Sequence, residues 1–264
     1  MGLSDMAKPK TLRTPQFNRV PKVTLDFWLI KLLAVTMGET AADYLAVNMG
    51  LGLTATSVIM AAVLVAALAL QFRQKRYVPW SYWLAVVLIS VVGTLVTDNM
   101  VDNFGIALTT STIFFTVALA VTFAAWYASE RTLSIHTVFT NRREAFYWLA
   151  ILFTFALGTA AGDLVSEQFG LGYLNTGILF GMIIGSLTFG CFFLGLDPIL
   201  AFWLAYIFTR PLGASLGDFL SQPHEYGGLN LGTTLTSVIF LGLIAATVVY
   251  MTLSHDGDET LLER

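Results

Sequence analysis

The chain has 264 residues, 56% of them apolar and only 12% charged, with a mean hydropathy of +0.73. A soluble domain carries about 25% charged residues, so this composition excludes an ordinary soluble fold and points to lipid. A net charge of −3 offers no hold on nucleic acid, and the lone Cys191 excludes an internal disulfide and a cysteine metal cluster.

The charges gather in short runs at Lys8–Lys22, Arg73–Arg76, Glu130–Glu144 and Asp256–Arg264. The apolar blocks between them reach the roughly 20 residues that a helix needs to cross a bilayer. Residues 1–24 are polar and basic with no apolar core, which marks a tail and not a cleaved signal peptide. Eight spans follow, at 25–48, 53–72, 80–101, 107–128, 145–167, 172–194, 198–220 and 232–253. The expected organisation is a tail (1–24), repeats 1 and 2 (25–129), a basic linker (130–144), repeats 3 and 4 (145–253) and a second tail (254–264).

The odd spans share one pattern without gaps: Phe or Tyr, Trp-Leu, eight residues, Gly, four residues, Asp. Its four copies run from Phe27-Trp28 to Gly38 and Asp43, Tyr82-Trp83 to Gly93 and Asp98, Tyr147-Trp148 to Gly158 and Asp163, and Phe202-Trp203 to Gly213 and Asp218. Each even span opens on a Gly or Ala with a hydroxyl four residues on, at Thr56, Ser111, Thr176 and Thr236. The unit is thus a helical hairpin repeated four times. The even-to-odd loops carry Arg73, Lys75, Arg76, Arg131, Arg142 and Arg143, and the odd-to-even loops carry no Lys or Arg. By the positive-inside rule both termini are cytoplasmic and the hairpins are parallel repeats.

Residues four apart share a helical face. Counting back from each Asp gives the stripes Lys31-Val35-Glu39-Asp43, Val86-Ser90-Thr94-Asp98, Ile151-Phe155-Thr159-Asp163 and Tyr206-Arg210-Ala214-Asp218. An ionisable residue inside a span is costly and normally faces the bundle interior, so these stripes should face one another. At about 1.5 Å per residue each Asp lies about 22 Å beyond its Trp, which puts the four at one depth. Glu39, Asp43, Asp98, Asp163 and Asp218 are the candidate ion ligands. Thr94, Thr159, Lys31, Arg210, Thr56, Ser111, Thr176 and Thr236 are secondary or gating candidates. Oxygen ligands without His or Cys suit hard divalent cations, and crowded carboxylates also form a site for protons. Arg210 needs a carboxylate, most simply Glu39, Asp43 or Asp218, and Pro211 should kink span 7.

Plainer roles are expected elsewhere. The four Trp read as interfacial anchors, the motif glycines as helix contacts, and Asn99, Asp102, Asn103 and Glu167 as solvated residues. His136, His224 and His255 lie outside the spans without ligand spacing. Gly177, Gly181 and Gly185 read as packing or as the face of a homodimer.

The motifs Gly38-Glu-Thr-Ala-Ala-Asp43, Thr97-Asp98-Asn99, Gly158-Thr-Ala-Ala-Gly-Asp163 and Thr209-Arg-Pro-Leu-Gly-Ala-Ser-Leu-Gly-Asp218 resemble those of a bacterial family. That family comprises membrane-anchored proteins made of a repeat of unknown function, and the resemblance covers residues 22–253. It implies a multi-pass inner-membrane protein of paired-helix repeats and assigns no activity and no site. The residues themselves point to an all-α polytopic cation transporter, for a divalent metal such as Mn²⁺, with proton exchange as the coupling. Its partners would be the lipid bilayer and an inorganic cation, with no resident cofactor. A passive channel with an Asp ring and a non-transporting scaffold or sensor are the alternatives. No nucleophile–base pair, HExxH or phosphate loop suggests an enzyme.

Overall fold

The computed structural model describes residues 17–262. Lys8, Lys10, Arg13 and the far ends of both expected tails lie outside the described residues, as does the side chain of His255. Among the described residues the regular structure is helical throughout: α1 Leu25–Asp43, α2 Leu53–Arg73, α3 Pro79–Asp98, α4 Leu108–Glu130, α5 Asn141–Asp163, α6 Gly172–Phe193, α7 Pro198–Ser221 and α8 Thr233–Leu262. Local chemistry sets several starts. Thr24, Thr140 and Asp197 accept from the backbone N–H three residues on, and Pro79 and Pro198 sit in first turns where no donor is needed. Pro211 lies inside α7 without ending it.

Seven of these helices are long and apolar enough to cross a membrane. The eighth, α1, carries Asp26, Lys31, Glu39 and Asp43 and is less apolar for that reason. It nevertheless holds the same place in the fold as its three counterparts. The odd helices form an inner ring in which α1 packs on α3, α3 on α5, α5 on α7 and α7 on α1. The even helices lie outside and are largely exposed.

The hairpin is a unit of sequence but not of packing. Each even helix lies along the odd helix of the next repeat: α2 on α3, α4 on α5, α6 on α7, and α8 back on α1. The last helix therefore closes a circle with the first. A hairpin alone could not bury its inner face, as expected of repeats that share one core.

The motif glycines hold the ring together. A Cβ on Gly38 would strike Ser90, one on Gly93 would lie 2.9 Å from the Cβ of Phe155, one on Gly158 would strike Arg210, and one on Gly213 would lie 2.5 Å from Val35. In each case the neighbour stands three residues before the next repeat's own glycine. The four inner helices thus meet in the same register, and the repeat is cyclic in space as well as in sequence. Only glycine permits so close an approach.

The tryptophans depart from the expectation of interfacial anchors. Trp83, Trp148 and Trp203 are buried and Trp28 is half-buried. Each packs against the preceding repeat's motif aromatic: Phe27 on Trp83, Tyr82 on Trp148, Tyr147 on Trp203 and Phe202 on Trp28, with ring centroids 5.4–6.2 Å apart. The hydroxyls of Tyr82 and Tyr147 meet at 2.5 Å in the middle. Aromatic surface is thereby spent between repeats, closing one end of the ring.

That end is capped further by segments read from sequence as tail and linker. Asn18 donates to the Ile135 carbonyl and accepts from the Val138 N–H, and its own carbonyl accepts from the Tyr77 N–H. Arg19 pairs with Glu144 at 2.6 Å. Glu144 is fully buried and also accepts from Gln71 and Trp148. Residues 17–24 and 130–144 are consequently part of the fold, tying repeats 1, 2 and 3 together.

Candidate functional site

The shared register stacks the axial stripes in layers. Nearest the aromatic end lie Lys31, Val86, Ile151 and Tyr206, all fully buried. Lys31 donates to the Tyr206 carbonyl at 2.9 Å, and its ammonium lies 3.9 Å from the centre of the Tyr206 ring and 5.5 Å from that of Phe155. Among the described residues it has no carboxylate partner. A carbonyl dipole and two aromatic faces take that place.

The next layer is Val35, Ser90, Phe155 and Arg210, and above it stand Glu39, Thr94, Thr159 and Ala214. Arg210 links them. Its guanidinium pairs with Glu39 at 2.8 Å, donates to the Val35 carbonyl at 3.2 Å and to Thr159 Oγ1 at 2.8 Å, and also bonds to Thr94. Thr94 in turn donates to Glu39. One side chain from α7 is therefore tied to α1, α3 and α5 together. Gly158 makes room for the arginine stem, since a Cβ there would overlap it. Of the three carboxylates open to Arg210 in sequence, the fold selects Glu39, in the layer next to its own, and leaves Asp43 and Asp218 a further turn away.

Asp43, Asp98, Asp163 and Asp218 form the layer above. Glu39 is an electrostatic neighbour of all four, Asp43 acts on the other three, and Asp163 acts on Asp98 and Asp218. The four carboxylates therefore share one electrostatic neighbourhood around Glu39. Among the described residues no hydrogen bond or ion pair engages the carboxylates of Asp98, Asp163 or Asp218, while Asp43 accepts a long 3.5 Å bond from Gln222. No group of three or more His, Cys, Asp or Glu is gathered closely enough among the described residues to hold a metal ion. The layer is acidic without being a metal cage.

Directly after Asp43, Asp98 and Asp163 the helix widens into one π-helical turn, Tyr44–Asn48, Asn99–Asn103 and Leu164–Gln168. It is closed each time by an i→i+5 bond, such as Met49 N–H to the Tyr44 carbonyl at 2.9 Å. Such turns occur often at functional positions. In repeat 4 the α-helix instead runs on to Ser221.

The hydroxyls on the even helices stay apart from the carboxylates. Thr56 and Thr236 are buried and donate to the carbonyls of Gly52 and Gly232, and among the described residues the buried hydroxyls of Ser111 and Thr176 have no partner. In repeats 1 and 4 the following residue ties the outer helix to an inner one. Ser57 accepts from Asn99 at 2.6 Å, and Ser237 donates to Thr40 at 2.8 Å. Asn99 is thus buried and structural, contrary to its reading as a solvated residue. Gly177 looks towards Ser215 and Leu212 of α7, Gly181 meets only Leu212 at 4.0 Å, and Gly185 is exposed. The first two therefore contribute to packing within the chain.

The family model described as Repeat of Unknown Function (DUF347) matches residues 27–77, 81–132, 146–194 and 201–256. The chain belongs to this repeat family. Each match spans one odd helix and the even helix after it, so the unit of inheritance is the hairpin even though the packing pairs cross its borders. No curated protein and no solved structure matches the chain.

Proposed function

We propose that this protein is a cation transporter working by alternating access, with the Asp layer as the entry site and the Arg210–Glu39 pair as the gate beneath it. The observation that carries the reading is Arg210, one fully buried guanidinium bonded to the three other inner helices below the four carboxylates. A filled axis favours alternating access over an open pore, because Arg210, Lys31 and the ring aromatics lie on the line an ion would follow. Carboxylates at one depth also hold protons, which supports proton exchange as the coupling. The oxygen-only layer fits a divalent metal such as Mn²⁺ in chemistry, but no metal-holding group among the described residues favours it, so the cargo is read as a cation without further restriction.

We further read the aromatic end as cytoplasmic and the Asp end as external, in a bacterial inner membrane. The basic residues Arg19, Arg73, Arg76, Arg142 and Arg143 support this orientation, since all belong to the aromatic end. The test is flux of monovalent and divalent cations into proteoliposomes under an imposed pH gradient. Uptake abolished in folded Asp98→Asn/Asp163→Asn protein is the expected result. Absence of flux for every cation, or full flux in the double variant, would overturn the proposal.

A further inference from the structure

One turn beyond the Asp layer the stripes continue through Val47, Asp102, Glu167 and Gln222. Here the pseudo-symmetry breaks. Between the ends of repeats 3 and 4 lies an open cavity of about 470 Å³ lined by Ser166, Glu167, Gly172, Tyr173, Gln222 and Tyr226. Gly172, at φ 71°, turns the chain at the start of α6, and Tyr173 and Glu167 line the same cavity. Tyr226 is carried by the longer loop after α7. That loop is held by Leu229 N–H to the Phe219 carbonyl at 2.7 Å and Asn230 N–H to the Gln222 carbonyl at 2.8 Å.

The cavity communicates with the axis. The Gln222 amide, which lines it, reaches Asp43 at 3.5 Å. Its chemistry is one carboxylate, an amide, a serine hydroxyl and two phenols, with no Lys, Arg or His in the wall. A bare divalent ion would find a single carboxylate there. A protonated primary amine would find three matched features: a carboxylate for its charge, neutral oxygens for its other N–H donors, and aromatic faces for its polarised methylenes.

We propose that this cavity is a recognition site for a small protonated primary amine, presented from there to the Asp layer. The proposal rests on the transport reading for its purpose but not for its test, which is binding to detergent-solubilised protein. Calorimetric titration with butylammonium should saturate, and tetramethylammonium, which has no N–H donor, should bind at least tenfold more weakly. Glu167→Gln should weaken butylammonium at least tenfold and Tyr173→Phe several-fold, while Asp102→Asn leaves binding unchanged. If Glu167→Gln does not fold, Tyr226→Ala on the exposed loop should give a several-fold loss in its place. No saturable binding, equal binding of tetramethylammonium, or indifference to the cavity variants would overturn the proposal. Amine binding without any flux would remove the transport reading alone, and inorganic cation flux without amine binding would remove this one alone.

Discussion

Arg210→Met tests the central joint most directly. The substitution keeps the length and much of the volume of the side chain but removes its bonds to Glu39, Val35, Thr94 and Thr159. The Glu39 side chain, only 8% exposed, is then left with Thr94 as its one donor among the described residues. Breaking a buried pair from one side costs about 3–5 kcal/mol, which is about two to four powers of ten in the unfolding equilibrium. Arg210→Met/Glu39→Leu removes the stranded charge as well, and replacing a whole buried pair by apolar groups is often close to neutral. The double variant should therefore recover most of the loss, leaving about 1–2 kcal/mol for the two threonines and the carbonyl that lose a partner. The measurement is equilibrium unfolding in mixed micelles, read from tryptophan fluorescence, for which buried Trp83, Trp148 and Trp203 are reporters. A loss below about 1 kcal/mol in Arg210→Met, or strictly additive effects in the double variant, would refute the reasoning. Either result would mean that the pair is not coupled in the way its geometry requires.

Three further outcomes follow from the packing. Gly93→Ala should cost about 1–3 kcal/mol through overpacking against Phe155, whereas Gly185→Ala, with open space around it, should be neutral or slightly stabilising; thermal unfolding of the two purified variants checks this. Tyr82→Phe and Tyr147→Phe should each cost about 1–3 kcal/mol by leaving one buried hydroxyl unpaired, and the double variant should cost less than their sum, which a double-mutant cycle measures. Glu144→Leu should loosen the aromatic end, since Gln71 and Trp148 lose this acceptor and the Arg19 side chain keeps only Asn141 among the described residues; proteolysis after Arg19 should become at least tenfold faster while the inner ring persists.

Periodicity made the inner faces legible. A side chain's direction on a helix follows from its place in the turn, so counting in fours from each Asp placed Lys31, Glu39, Thr94, Thr159 and Arg210 on one axis before any contact was known. The same count carried one step outward reaches Asp102, Glu167 and Gln222, of which Asp102 and Glu167 are exposed as expected. Thr56, Ser111, Thr176 and Thr236 were found by an equally regular signal, yet their hydroxyls turn back to their own helices or meet nothing. Regular spacing identifies a buried position but not the atom it faces. Asn99 shows the converse, for no period marks it and its bonds to Ser57, Thr54, Asn103 and the Leu95 carbonyl account for its burial.

The amino-acid order by itself determined four copies of one helical hairpin and the common depth of their aspartates, because these depend on spacing along single helices. Which helix lies beside which is a question of surfaces brought together from distant parts of the chain. Only the tertiary structure placed each even helix on the next repeat, closed α8 onto α1, turned the tryptophans from lipid to neighbouring rings, and chose Glu39 for Arg210. The physical reason lies at the glycines. Gly38, Gly93, Gly158 and Gly213 let backbones meet where any side chain would collide, and that contact sets the register from which every layer above and below is built.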